Sequence, residues 1–125
     1  LTIRLFVYGT LAPGRDAWPV LEHWITGTPR ADAVAGTLYD TGRGYPAAVF
    51  GGAAGDLADG VVHGYVVDLD PERAPAALAA LDRYEGGEYA RVAVRTAGGA
   101  EAATYAWIAS LHDCRAVAGG RWDRR

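Results

Sequence analysis

The chain has 125 residues, half of them hydrophobic and 22% charged, which supplies one hydrophobic core, so residues 1–125 are read as a single domain. A formal net charge of −3 leaves no positive surplus for a phosphate backbone or an anionic bilayer, which argues against nucleic-acid and membrane partners. Lysine is absent, and with it go Schiff-base enzymes and the phosphate-loop lysine of nucleotide hydrolases.

The single cysteine, Cys114, permits no internal disulfide, and His23, His63 and His112 lie far apart without metal-ligand spacing, so no metal site is expected. Leu1 to Tyr8 lacks the basic start and long apolar run of a secretory leader, and the longest apolar stretches are strand-sized. A reducing, cytoplasmic setting is the expectation.

Ile3 to Tyr8 is a dense β-branched and aromatic run stopped by Gly9, which predicts a central strand buried on both faces. A short helix is expected after Asp16, with Trp18, Leu21 and Ile25 at helical spacing and Pro19 in its first turn. Further strands are predicted over Ala33 to Tyr39, Ala47 to Phe50, Val61 to Leu69, Tyr89 to Thr96 and Ala102 to Ile108, each bounded by Gly, Pro or Asp. Between two of them, Gly51 to Gly60 reads as a flexible loop. The second helix has Asp70 as N-cap, Pro71 at its first position and Gly86-Gly87 as terminator, although Pro75 moves its regular part to begin near that residue. Six strands and two helices without βαβ repetition predict an α+β fold, its sheet curved or closed and mostly antiparallel.

At about 100° per residue, Ala74, Leu78, Leu81 and Glu85 share one narrow stripe of the second helix, so the stripe that should face the core ends in a carboxylate. Asp82 is about 70° off that line and reaches solvent. Burial and the negative pole of the helix would both raise the Glu85 pKa toward the range of a proton shuttle. The alternative is that the helix end turns Glu85 outward or pairs it with Arg91 or Arg95; periodicity alone favours that alternative.

Tyr8-Gly9-Thr10-Leu11 follows the first strand, where glycine permits unusual torsions and successive backbone N–H groups can converge on an anion such as a carboxylate. An ordinary strand-to-loop turn is the plainer reading. Gly42 to Pro46 offers an aromatic wall at Tyr45, or simply a turn. Ser110, His112, Asp113 and Cys114 are too close in sequence for a nucleophile, base and orienter, and read as loop. His63 reads as a strand histidine, and Trp18, Trp24, Trp107 and Trp122 as packing.

Together, VYGTLAPG at Val7 to Gly14, GTLYDTGRGYPA at Gly36 to Ala47, LDRYEGGEYARVAV at Leu81 to Val94 and Gly-Arg-Trp at Gly120 to Trp122 resemble the γ-glutamylcyclotransferase-like, or AIG2-like, superfamily, nearest its small bacterial members. The motifs match in order and spacing over nearly the whole chain. The resemblance implies a small six-stranded, mostly antiparallel β-barrel with flanking helices, a pocket at its mouth, and no metal or organic cofactor. It makes Glu85 the catalytic acid/base and gives Tyr8, Gly9, Thr10 and Leu11 the glutamyl portion of the substrate. Tyr45, Tyr89 and Tyr105 match aromatics near the family's cavity. The implied reaction releases 5-oxoproline and a free amine or amino acid from a γ-glutamyl compound. A noncatalytic small-ligand-binding domain of the same fold is the competing function. Two departures bear on the pocket: Arg15-Asp16-Ala17-Trp18 stands where members often carry an Asn-His pair, and the link from Glu85-Gly86 to Tyr89 is short.

Overall fold

The computed structural model describes residues 3–51 and 60–123. Its elements in chain order are β1 (Arg4–Val7), α1 (Trp18–Glu22), β2 (Ile25–Asp40), β3 (Pro46–Phe50), β4 (Val61–Leu69), α2 (Ala74–Glu85), β5 (Tyr89–Arg95), β6 (Glu101–Trp107) and β7 (Arg115–Ala116), then a 3-10 turn at Ala118–Gly120. The strands form one sheet in the order β3-β2-β4-β1-β6-β5, with β7 paired to the end of β2 at Tyr39 and Asp40. Only β1 and β6 run parallel; the other pairs are antiparallel. The sheet curls into a nearly closed mixed barrel with two helices. Across the gap between its two ends, the Tyr89 hydroxyl donates to the Pro46 carbonyl at 2.5 Å.

β1 is central and buried on both faces, as its composition predicts. Leu5 and Val7 pack with Leu21 of α1 and Ala74, Ala77 and Leu81 of α2. Phe6, with Tyr8 just beyond the strand, packs inside the barrel with Val34, Leu38, Val62 and Trp122. The period-2 alternation of a strand therefore divides the interior into a barrel core and a helix-facing core that meet along β1. In β5, Arg91 and Arg95 are exposed while Val92 and Val94 are partly covered, the period-2 alternation of a strand with one face packed.

All six expected strands form, and four details differ. A seventh, β7, is two residues long, too short for any periodic signal. β2 starts at Ile25 instead of Ala33 and takes up a residue assigned to the first helix, which ends at Glu22. Its ladder with β4 breaks between Thr26 and Arg30, where Gly27 has φ +71° and Pro29 needs no ladder donor. The Gly and Pro that read as punctuation thus form a bulge inside a longer strand. α2 begins at Ala74, beside Pro75 as expected, but with Arg73 rather than Asp70 at the N-cap and Pro71 outside the helix. Asp70 instead accepts from the Glu72 N–H at 3.1 Å in a preceding turn, because Pro75 fits only the first helical turn. The predicted loop at Gly51 to Gly60 lies, over 52–59, outside the described residues.

Candidate active site

The exit of β1 and the C-terminal end of α2 enclose a cavity of about 420 Å³, within the range of small-molecule sites. Glu85 is the last residue of α2 and lines this cavity. Ala74, Ala77 and Leu81 bury the helix stripe against the core, which aims the next turn inward. Gly86, with φ +80°, stops the helix directly after it. Neither arginine suggested as a partner reaches Glu85: Arg91 pairs with Asp82 at 3.2 Å and Arg95 with Glu101 at 2.7 Å. Burial, with no compensating cation among the described residues, raises the Glu85 carboxyl from 4.5 to about 7.

Tyr8, Gly9, Thr10 and Leu11 line the same cavity. The carbonyls of Gly9 and Thr10 accept from the N–H groups of Ala12 and Ala17. Among the described residues, the N–H groups of Gly9, Thr10 and Leu11 have no such turn partner, leaving three consecutive donors beside the cavity. Gly9 is not in a left-handed conformation, which corrects the torsional reason given for it. A Cβ there would lie 2.6 Å from Pro46 Cγ, so close packing requires the glycine. Pro46 is thereby pressed on Gly9 and held by the Tyr89 hydroxyl, joining the loop to both ends of the sheet.

Tyr45, Tyr89 and Tyr105 also line the cavity, so all eight residues singled out from sequence meet in one place. The Tyr8 hydroxyl donates to the Tyr105 carbonyl at 2.5 Å, and the Tyr105 hydroxyl donates to Asp82 Oδ1 at 2.7 Å. Burial pushes the Tyr8, Tyr89 and Tyr105 phenols above the ordinary tyrosine value, and the Glu85 charge adds to each. The three phenols keep their protons through neutral pH, where Glu85 titrates. They are donors; Glu85 can move a proton.

Sequence reasoning missed Glu88 and Tyr84, the two further ionisable residues of the lining. Glu88 Oε2 pairs with Arg43 at 3.0 Å, and Arg43 stacks 5.1 Å from the Tyr45 ring centre. The signal for Glu88 was the short link after Gly86, which holds a second carboxylate near the first. Tyr84 offers none, since it lies off the buried stripe of α2. Ser110, His112, Asp113 and Cys114 are absent from the lining, and His112 and Asp113 are exposed. His63 sits in β4, where partial burial lowers its pKa. Trp107 and Trp122 are buried, while Trp18 and Trp24 pack against the helix-facing core. Among the described residues, no three His, Cys, Asp or Glu side chains gather in a metal-binding group. None of the helices there is long and apolar enough to cross a membrane.

The family described as gamma-glutamyl cyclotransferase, AIG2-like, matches residues 5–124. No curated protein sequence matches the chain. Among solved structures, the fold is similar to a protein specific to uropathogenic E. coli, with 21% identity, TM-score 0.74, and 94% of this chain and 88% of that one covered. An uncharacterised protein of Pyrococcus horikoshii is similar at 23% identity and TM-score 0.70, covering 95% and 88%. An AIG2-like protein of Mus musculus is similar at 21% identity and TM-score 0.65, covering 84% and 76%. At these identities the structural likeness establishes the fold.

Proposed function

The chain belongs to the gamma-glutamyl cyclotransferase, AIG2-like family, and from that premise we propose that it is an enzyme that cyclises a γ-glutamyl compound, releasing 5-oxoproline and a free amine or amino acid. The observation that carries this reading is Glu85, a partly buried carboxylate that has no cationic partner among the described residues and that shares one cavity with the Gly9 to Leu11 loop, whose amides have no turn partner among those residues.

Elementary chemistry fixes the steps. The substrate's α-ammonium must lose a proton before its nitrogen can attack, and Glu85, ionised on the alkaline side of about 7, accepts it. The nitrogen lone pair then forms a bond to the γ-carbonyl carbon of the same glutamyl unit, and the carbonyl π electrons move onto oxygen. Collapse of this intermediate restores the carbonyl and breaks the bond to the leaving nitrogen, which takes the proton back from Glu85; the ring nitrogen, still carrying two hydrogens, gives its second proton to the freed amine, leaving a neutral lactam and an ammonium ion. No bond to the enzyme forms. The protein's part is to fold the chain so that nitrogen and carbon meet, since effective concentration supplies most of such a rate gain. The amides of Gly9, Thr10 and Leu11 bind negative oxygen there, as substrate carboxylate or developing oxyanion. The protonated phenols of Tyr8, Tyr89 and Tyr105 already donate to the Tyr105 carbonyl, the Pro46 carbonyl and Asp82, so they wall the cavity as fixed, neutral groups that do not compete for the substrate's proton. Tyr45 supplies an aromatic wall at the mouth.

The test incubates the protein with γ-glutamyl amino acids, γ-glutamylamines and γ-glutamylated aminoglycosides and follows 5-oxoproline by mass spectrometry. Release from one class supports the reading and names the leaving group. Binding without release from any of them refutes it in favour of a ligand-binding domain.

A further inference from the structure

Between Leu81, which is fully buried, and Glu85, the residues Asp82, Arg83 and Tyr84 are all exposed, so apolar packing stops one turn short of the carboxylate. A helix end beyond its last packed residue frays unless something outside the helix holds it. Among the described residues, Asp82 is the only one of these three whose side chain bonds to another element. Its Oδ1 accepts the Tyr105 hydroxyl of β6 at 2.7 Å, and its carboxylate pairs with Arg91 of β5 at 3.2 Å. Tyr105 is in turn tied to the β1 exit, because its carbonyl accepts the Tyr8 hydroxyl. A continuous chain of contacts therefore runs from the β1 exit through β6 to the last turn of α2. Of its links, the Tyr105 bond is the short, partly sheltered one, whereas the Arg91 pair is solvent-exposed and worth little.

We propose that Asp82 is a positioning residue, which clamps the last turn of α2 to Tyr105 and so holds Glu85 inside the cavity rather than at its rim. This rests on the reading of Glu85 as the acid/base. Asp82 touches neither the cavity nor the reacting atoms; it acts through the helix turn. The ionisable groups bordering the cavity with Glu85 are Tyr8, Tyr45, Tyr84, Glu88, Tyr89 and Tyr105, and none of them is a cation. If the turn opens, Glu85 gains water, and its raised proton affinity relaxes toward that of an exposed glutamate.

The experiment compares Asp82→Ala and Asp82→Asn with the wild type, reading kcat, KM and the pH midpoint of kcat/KM. Misplacing one catalytic group lowers turnover by about tenfold or more, so Asp82→Ala is expected to lose that much kcat. KM should change by less than about threefold, and the midpoint should move down from near 7 by roughly one pH unit or more. Asp82→Asn keeps an oxygen for the Tyr105 hydroxyl and should recover most of the loss. A folded Asp82→Ala protein with wild-type kcat and midpoint overturns the proposal, as does a loss confined to KM. A second readout needs no turnover: the pH dependence of unfolding, compared between each Asp82 variant and the same variant carrying Glu85→Gln, reports the Glu85 proton directly. If no 5-oxoproline is ever released, the functional reading fails by itself. In that case an undiminished Glu85 signature in the Asp82 variants overturns the clamp, and a diminished one supports it. Asp82→Asn supplies the comparison should Asp82→Ala not fold.

Discussion

Replacing Glu85 by glutamine separates stability from catalysis, because the amide preserves shape and polarity while removing the ionisable proton. Raising the carboxyl from 4.5 to about 7 corresponds, at about 1.36 kcal/mol for each tenfold change in proton affinity, to about 3 kcal/mol. The folded chain holds this proton more tightly than the unfolded one. Its contribution to stability is complete below the unfolded value, fades between 4.5 and about 7, and is gone above. The wild type should therefore lose up to about 3 kcal/mol relative to Glu85→Gln between pH 4 and pH 8, a ceiling because water enters the cavity mouth. For a domain of this size that is roughly 10 °C in Tm. Urea unfolding of both proteins at unit pH steps measures it, since other titrating groups cancel in the difference. The same variant should turn over at least about a hundredfold more slowly. A stability difference flat from pH 4 to pH 8 would refute the inward, uncompensated placement of Glu85, whatever the activity result.

The rate itself should carry the same group: log kcat/KM rises with slope one on the acid side and bends near pH 7, and a bend at the exposed-glutamate value would contradict the burial argument. Gly9→Ala places a methyl 2.6 Å from Pro46 Cγ. It should cost about 1–3 kcal/mol by overpacking and raise KM, as measured by urea unfolding and initial rates; an unchanged stability would show that Pro46 yields freely. Tyr89→Phe leaves the Pro46 carbonyl without its donor and should cost about 1 kcal/mol in the same unfolding assay. Cys114→Ala should turn over normally, because Cys114 does not line the cavity; loss of activity would point to a thiol mechanism.

The likeness of this fold to distant structures leaves its chemistry to individual side chains, and these were unequally legible. β1 announced itself because a run with both faces apolar has few alternatives to a central strand. The stripe ending in Glu85 was legible because helical periodicity is geometry that neighbours do not alter. Whether Glu85 turned inward could not be read there: Arg91 and Arg95 stand a few residues along and were equally plausible partners. Strand register decided it by sending Arg91 to Asp82 and Arg95 to Glu101. The bulge in β2 was hidden for a related reason, since Gly27 and Pro29 look alike in a loop and in an interrupted ladder until a partner strand is present.

The sequence by itself determined the spacing of the apolar positions, the helix end at Gly86 and the residue types able to move a proton or bind an anion. Those properties are local: they follow from the backbone and side chains of neighbouring residues. Only the tertiary structure decided that Gly9 serves packing rather than torsion, that Pro46 and Tyr89 bridge the ends of the sheet, and that Glu88 shares the cavity with Glu85. These depend on distances between residues remote along the chain, which closure of the barrel sets and composition does not.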